Sequence, residues 1–564
     1  LTGLPPLVLH YGGRDPLAPD CDRFVSLAAE AGAELEHRRH DELWHECHIL
    51  ADVVPDADRA LAEMARGLAR ELAPAGGRPR VGIVGAGMSG LCMAAKLRAA
   101  GHDDFTVYEK AETLGGTWRE NRYPGLSCDV PSRYYSYSFA PNPGWSHAFA
   151  PGPEVQEYFT GVARDLDLDR SIRYGSEVTS ARWQDGRWRM RTADGHEDAV
   201  DVLVSATGIL HHPRLPEVEG LESFEGDVFH SAQWDESVPV DGRRVAVIGT
   251  GSTGVQITCA LADRASTLSL YQRTAQWILP VPNRPTARVS RRLMKRVPAF
   301  GRLAYRWNKW LLELVFGEAV IRPGWQRSLI TAICRLNLRF GVRDPELRRK
   351  LTPDFDPMCK RLVMSAGFYP AVQKPGVELV TEAIERVEPR GIVTADGDLH
   401  PADVIVLATG FDFHAYMKSM NLVGEGGLTL EQAWADGPRG YRTVAIPGFP
   451  NLFTLMGPHS PVGNHSLVAV AETQSDYILA WIDNLAGEEI SQASPSPEAT
   501  AEFNAEMRAS MPDTIWASGC QSWYLGKDGL PELWPWTPRR HREMLAQPEL
   551  EDFELTRAPT SALP

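Results

Sequence analysis

Two short stretches carry the residue types needed to hold a nucleotide. The first, Gly85-Ala86-Gly87-Met88-Ser89-Gly90, follows an apolar run from Val81 to Val84 and opens an apolar, helix-like stretch ending at Gly101. Gly85 permits the tight turn, Gly87 lets the backbone approach a pyrophosphate, and Gly90 allows helix and strand to pack closely. The pyrophosphate would lie at the positive end of the helix. A second apolar run closes at Glu109, 19 residues past Gly90, where a carboxylate accepts from ribose hydroxyls. An acid there selects an unphosphorylated ribose, so FAD or NAD fits and NADP does not. The second stretch, Gly249-Thr250-Gly251-Ser252-Thr253-Gly254, repeats the layout, but its second strand ends in Tyr271-Gln272-Arg273-Thr274. A guanidinium in place of the acid forks onto phosphate, the change expected for a ribose 2′-phosphate. The plain alternative is a surface arginine at a strand end. One site of each kind suggests FAD plus NADPH, and with them hydride transfer into a flavin.

These residues must sit on strands. Beyond the two Gly-rich strands, VDVLVSATGIL (200–210) and ADVIVLATGFD (402–412) read as buried strands ending in Ala-Thr-Gly, returning the chain from one nucleotide unit to the next. At 564 residues the chain is too long for one core, and about 150 residues per domain suggests three or four units. The composition, 43% hydrophobic and 23% charged, is that of a soluble globular protein. A net charge of −15 argues against nucleic acid as a partner. No apolar run reaches the roughly 18 residues of a membrane span, and no signal peptide opens the chain. A start at Leu1, not Met, reads as a fragment or a processed product. The eight cysteines are scattered without a CxxC pair, which fits a reducing cytosol and sets aside dithiol reductases.

FEGDVFHSAQW (224–234) holds no nucleophile and no metal-ligand pair. With Asp235 it matches FxGxxxHxxxW(P/D), and GGTWRENRYPGLSCD (115–129) matches GGTWxxNxYPGxxxD. On both signatures the chain, from about residue 78 onward, resembles the type I Baeyer–Villiger monooxygenases, relatives of the flavin-containing monooxygenases. The resemblance implies two Rossmann-like α/β domains, the FAD domain split by an inserted NADP domain that itself carries a helical insertion. It makes Phe224, Gly226, His230 and Trp234 an interdomain linker that positions the domains over one flavin.

The implied chemistry is oxidation of a ketone to an ester or lactone through a flavin C4a-peroxide, with NADPH and O2 consumed. Of the pair Lys360-Arg361, Arg361 would stabilise the peroxyanion and Asp129 would orient it, whereas Lys360 would join Arg273 on the 2′-phosphate. Without the resemblance, Lys360-Arg361 reads as a solvated surface pair. Ser89, Gly116, Thr117, Trp118, Asp129 and Tyr135 are implied for FAD, and Thr250, Ser252, Thr253, Thr274 and Trp523 for NADPH. Ser127 stands where many members carry Arg. The alternative activity is oxygenation of a nitrogen or sulfur nucleophile.

The expected organisation is an FAD domain over 78–210 and 405–564, and an NADP domain over 211–283 and 356–404, with the insertion at 284–355. In that insertion Leu303, Trp307, Trp310, Leu311 and Leu314 recur at helical spacing among many arginines. The resemblance has it line the substrate cleft; a basic amphipathic helix also suits a membrane surface. Residues 1–75 resemble the last third of an α/β-hydrolase of the esterase type, with Asp15 and His45 in the acid and base positions, and LAPAGGRPR (72–80) as linker. No GxSxG occurs in the chain, so the nucleophile is missing; a fused upstream hydrolase domain would supply it. The expectation is a cytoplasmic enzyme acting on a small ketone, without nucleic acid, metal or membrane association.

Overall fold

The computed structural model describes residues 7–45 except 34, then 57, 60, 61 and 64, 78–487 except 414, and 490–557. Cys47, most of the later half of the hydrolase-like segment, and the linker up to Gly77 lie outside the described residues.

Two parallel five-stranded sheets frame the molecule. In the first, the spatial order is Leu452–Thr454, Val202–Ser205, Val81–Val84, Phe105–Tyr108, Ile172–Arg173. Its central strands read VGIV and VLVS and are buried throughout, the near-continuous apolar pattern of a sheet covered on both faces. In the second the order is Asp227–His230, Val404–Leu407, Arg244–Ile248, Thr267–Tyr271, Val377–Val380. Each Gly-rich strand is therefore central, with an Ala-Thr-Gly strand on one side and the strand leading to Glu109 or Arg273 on the other. Ligands of parallel α/β sheets bind at such carboxyl ends. The first sheet draws Leu452–Thr454 from far along the chain because neighbours in a sheet are chosen by pairing, not by sequence order.

Two smaller sheets flank these. Val178–Gln184, Arg187–Thr192 and Glu197–Val200 form an antiparallel meander joined by Asn421–Val423, and Ile384–Glu388, Gly391–Thr394 and Leu399–Pro401 form another. Met88–Ala99 follows the first Gly-rich turn, is apolar almost all round, and packs against the long helix Leu467–Ala486.

The segment 284–355, expected as an insertion, carries helices Arg288–Arg296, Pro298–Leu312, Glu318–Ile321, Trp325–Gly341 and Pro345–Lys350, with a π-helical stretch Glu313–Gly317. The apolar stripe read from the sequence turns largely to solvent. Leu303, Trp307, Trp310 and Leu311 face outward, 43–63% exposed, and Leu314 falls in the π-helical stretch. The inward side carries Tyr305, whose ring meets that of Tyr134 edge-on at 5.5 Å. This helix is apolar on two sides, and periodicity alone does not say which side the protein takes. At the N-terminus, Leu7–Gly12 and Leu35–His40 pair in parallel, with helix Ala18–Glu30 between them in sequence.

Candidate active site

Both Gly-rich turns open on one cavity of about 1360 Å³. That exceeds the roughly 300–1,000 Å³ of a pocket for one drug-sized ligand, so there is room for more than one nucleotide. At the first turn Gly85 has φ +106°, and a Cβ there would lie 2.6 Å from the Ala206 carbonyl oxygen. A Cβ on Gly90 would overlap the Gly85 carbonyl oxygen. A Cβ on Gly87 would be 3.6 Å from the Gly116 Cα, and one on Gly116 3.1 Å from the Gly87 Cα. Two bare backbones thus face each other at the start of a helix without an acidic residue in its first turn. The cradle fits the diphosphate of FAD. Ser89, Thr117 and Trp118 line it, and Trp118 Nε1 donates to the Tyr135 hydroxyl at 3.0 Å.

Glu109 is more occupied than the sequence reading anticipates. It is 5% exposed. Its Oε2 accepts from the Ala86 N–H at 2.9 Å, and its Oε1 accepts from the Ala111 N–H and Arg119 Nη1, each at 3.0 Å. Three of about four acceptor directions on a carboxylate are taken, so Glu109 orders the turn as well as facing the cavity.

The second turn repeats the geometry. Gly249 has φ +116°, and a Cβ on Gly254 would overlap the Gly249 carbonyl oxygen. Gly251 faces open space. Thr250 Oγ1 donates to the Thr274 carbonyl at 2.8 Å, and Ser252, Thr253 and Arg273 border the cavity. Lys360 borders it too, its ammonium 4.6 Å above the Phe355 ring. Burial pulls the Lys360 ammonium below the ordinary lysine value, opposed by Asp354 and reinforced by Arg273. Two cations and an open glycine face suit a phosphorylated ribose.

Arg361 and Asp129, 232 residues apart, meet in the same cavity. Arg361 Nε and Nη2 donate to Asp129 Oδ2 at 2.9 and 2.7 Å, and Nη1 donates to the Val462 carbonyl at 3.1 Å. The neighbouring carboxylate raises the guanidinium above its ordinary value. Tyr524, which no sequence motif singles out, lies beside Arg361; burial pushes its phenol up to about 12 while Arg361 pulls it down.

Residues 78–314 match the model of the FMO-like family, described as flavin-binding monooxygenase-like. An uncharacterized monooxygenase of Mycobacterium tuberculosis (strain H37Rv) is 54% identical over 479 residues, spanning 85% of this chain and 96% of that protein. The chain belongs to the flavin-binding monooxygenase-like family. A Baeyer–Villiger monooxygenase of Streptomyces coelicolor is 37% identical over 485 residues, covering 85% of this chain and 93% of its own length. The structure of an oxidized steroid monooxygenase bound to NADP superposes with a TM-score of 0.76 at 32% identity, over 85% of this chain and all of that one. This is an FAD-containing, NADPH-dependent monooxygenase of the Baeyer–Villiger type.

The remaining predicted residues of the monooxygenase sort by position. Phe224 is buried against the second sheet, and a Cβ on Gly226 would sit 2.6 Å from its ring. His230 ends the edge strand, is 2% exposed, accepts from the Ala232 N–H at 3.1 Å and stacks edge-on with Phe411. Trp234 packs edge-on against Phe229 at 4.9 Å. None of these four borders the cavity, whereas Trp523 does. The Tyr-Pro-Gly turn of the 115–129 signature is tied to the second turn's helix. Tyr123 donates to Gln256 Oε1 at 3.0 Å, Gln256 Nε2 donates to the Ser127 carbonyl at 3.0 Å, and Gly125 leaves the space that brings them together.

The cysteines are not all reduced, as a reducing cytosol would have them. Cys359 and Cys520 form a disulfide across 161 residues, joining the Arg361 loop to the segment carrying Trp523 and Tyr524. A spacing that long carries no pairing signal. Cys21, Cys92, Cys128, Cys259 and Cys334 are free. In the N-terminal unit, His45 Nδ1 lies 2.9 Å from Asp15 Oδ2, and the Leu17 N–H bond, aided by His45, holds the Asp15 carboxyl below its ordinary value.

Proposed function

We propose that this monooxygenase converts a ketone, O2, NADPH and a proton into an ester or lactone, NADP⁺ and water. The observation that carries this reading is the Arg361–Asp129 pair in the cavity shared by the two nucleotide turns. Bound FAD, reduced by NADPH, supplies the activated oxygen. Arg361 holds a permanent positive charge where negative charge develops during oxygen insertion. Such preorganised charge is worth most where water is excluded. Asp129 takes two of its five N–H groups on one oxygen, the Val462 carbonyl takes a third, and the Tyr524 hydroxyl is a further hydrogen-bond partner of the guanidinium. Arg273 and Lys360 hold the 2′-phosphate, Trp523 covers the nicotinamide end, and Phe224, Gly226, His230 and Trp234 set the second sheet against the first.

Oxygenation of an amine or thioether needs no stabilised anion, and this separates the two activities. In a single turnover with NADPH, heavy oxygen gas and a mixture of cyclic, linear and aryl ketones plus a thioether, the expected product is an ester with one heavy oxygen. Arg361→Ala is expected to lower its yield about 10²–10³-fold while NADPH oxidation continues. Undiminished ester yield would refute the role of Arg361. Sulfoxide alone from the unaltered protein would move the assignment to nitrogen or sulfur oxygenation.

We also infer that Asp15 and His45 are the acid and base of a hydrolytic site whose nucleophile lies outside this sequence. A hydrolase there would cleave the ester made by the oxygenase. A gene with no serine-hydrolase segment upstream of the Leu1 codon ends that reading.

A further inference from the structure

Water-facing helices normally show polar residues to solvent. The insertion does the opposite. Of the twenty large hydrophobic side chains exposed among the described residues, eleven lie between Val289 and Phe340. On helix Pro298–Leu312 they form one outward stripe, Phe300, Leu303, Trp307 and Trp310, with the last two indoles in contact at 5.1 Å. On helix Trp325–Gly341 the inner stripe Ile330, Cys334 and Leu338 is buried, and Trp325, Leu329, Leu336 and Phe340 lie exposed away from it. Apolar side chains turned to solvent in such number along two helices mark an interaction surface.

Its charge says what kind. From Arg288 to Phe340 there are twelve Lys or Arg and only two acids, Glu313 and Glu318, in a chain of net charge −15. Both acids are spent on internal pairs, with Arg542 and Arg322. Arg288, Arg292, Lys295, Arg296, Arg306 and Arg339 are exposed. Exposed indoles and aliphatics interleaved with exposed cations are the chemistry of an interfacial helix on anionic headgroups. Two copies of the patch placed face to face would repel.

We propose that the outer face of residues 288–341 docks on an anionic lipid surface. The contact is peripheral, since no helix among the described residues is long and apolar enough to cross a membrane. It would place the reaction close to lipid. Tyr305, on the inward side of Pro298–Leu312, packs on Tyr134; the Tyr134 hydroxyl lies 3.1 Å from His465 Nδ1, and His465 borders the cavity. The inference goes beyond the proposed reaction and does not depend on it.

The test is co-sedimentation of the full, FAD-loaded chain with vesicles of phosphatidylcholine alone or mixed equally with phosphatidylglycerol, at low and high salt. The expected result is binding to the mixed vesicles only, weakened at least tenfold by high salt. Trp307→Ser/Trp310→Ser and, separately, Arg292→Glu/Arg296→Glu should each weaken it at least tenfold, with bound flavin and NADPH oxidation unchanged. Brominated lipids should quench tryptophan fluorescence in the unaltered chain and less in the indole variant. No binding, binding equal on both vesicles, or binding untouched by both variants overturns the proposal. So does self-association that sedimentation velocity shows to be abolished by the indole variant without any vesicle binding.

Discussion

The two nucleotide turns are copies in backbone and opposites in charge. Gly85 and Gly249 share a left-handed φ, and Gly90 and Gly254 each exclude a Cβ by the closeness of the Gly85 or Gly249 carbonyl. Thr207-Gly208 and Thr409-Gly410 line the cavity from equivalent neighbouring strands. The halves part at the end of the second strand. Glu109 is buried and gripped by three donors, whereas Arg273 is exposed at the cavity. The comparison teaches that the two turns share their glycine geometry and differ in one residue, some twenty positions later, to which the proposed function gives the choice of dinucleotide. On the proposed reading, the acidic half suits a cofactor that stays and the basic half one that exchanges. A cofactor that stays needs a preorganised turn, whereas one that comes and goes needs cations facing the opening.

The largest test of that division is at the glycines. Gly90→Val should leave the purified protein without FAD, because the backbone oxygen it strikes cannot yield. Gly254→Val should retain FAD and lose flavin reduction by NADPH. Flavin absorbance after desalting and stopped-flow reduction read the two outcomes, and equal FAD loss from both variants would erase the division.

A smaller effect is expected from the charges. Glu109→Ala strands buried N–H groups, at about 1–3 kcal/mol for each unsatisfied group, so the FAD dissociation constant should rise about 10- to 100-fold. Arg273→Ala should raise KM for NADPH about tenfold with kcat unchanged, the mark of lost uniform binding, and leave KM for NADH where it was. An equal rise for NADH would remove Arg273 from the 2′-phosphate.

The smallest effect is in pH. Lys360 is held below the ordinary lysine value, burial being the main cause. Its charge is complete at lower pH and is lost as pH rises through that depressed value, so KM for NADPH should climb at alkaline pH before an ordinary lysine would titrate. Lys360→Arg should flatten the rise, because a guanidinium keeps its charge. An unchanged profile in the variant would assign the titration elsewhere.

Much of this was legible because it is local. A glycine needed for a turn, an apolar strand before it and an acid or arginine after it all lie within thirty residues. The signatures at 115–129 and 224–234 are legible for the same reason. Arg361 was not legible in this way, because a Lys-Arg pair in a loop reads as solvated surface until Asp129 is brought to it. Glu109's three donors, the Tyr123–Gln256 bridge and the Tyr524 neighbour of Arg361 escaped for the same cause, and so did the Cys359–Cys520 bond.

By itself the sequence determined local conformation: which residues turn, which strands are buried on both faces, and which helices carry stripes. Backbone sterics and hydrophobic periodicity act over a few residues, so they can be read in order. Only the tertiary structure decided which distant groups share a cavity and which of two apolar faces the insertion turns outward. Those outcomes depend on long-range pairing and on competition for burial, which no local pattern encodes.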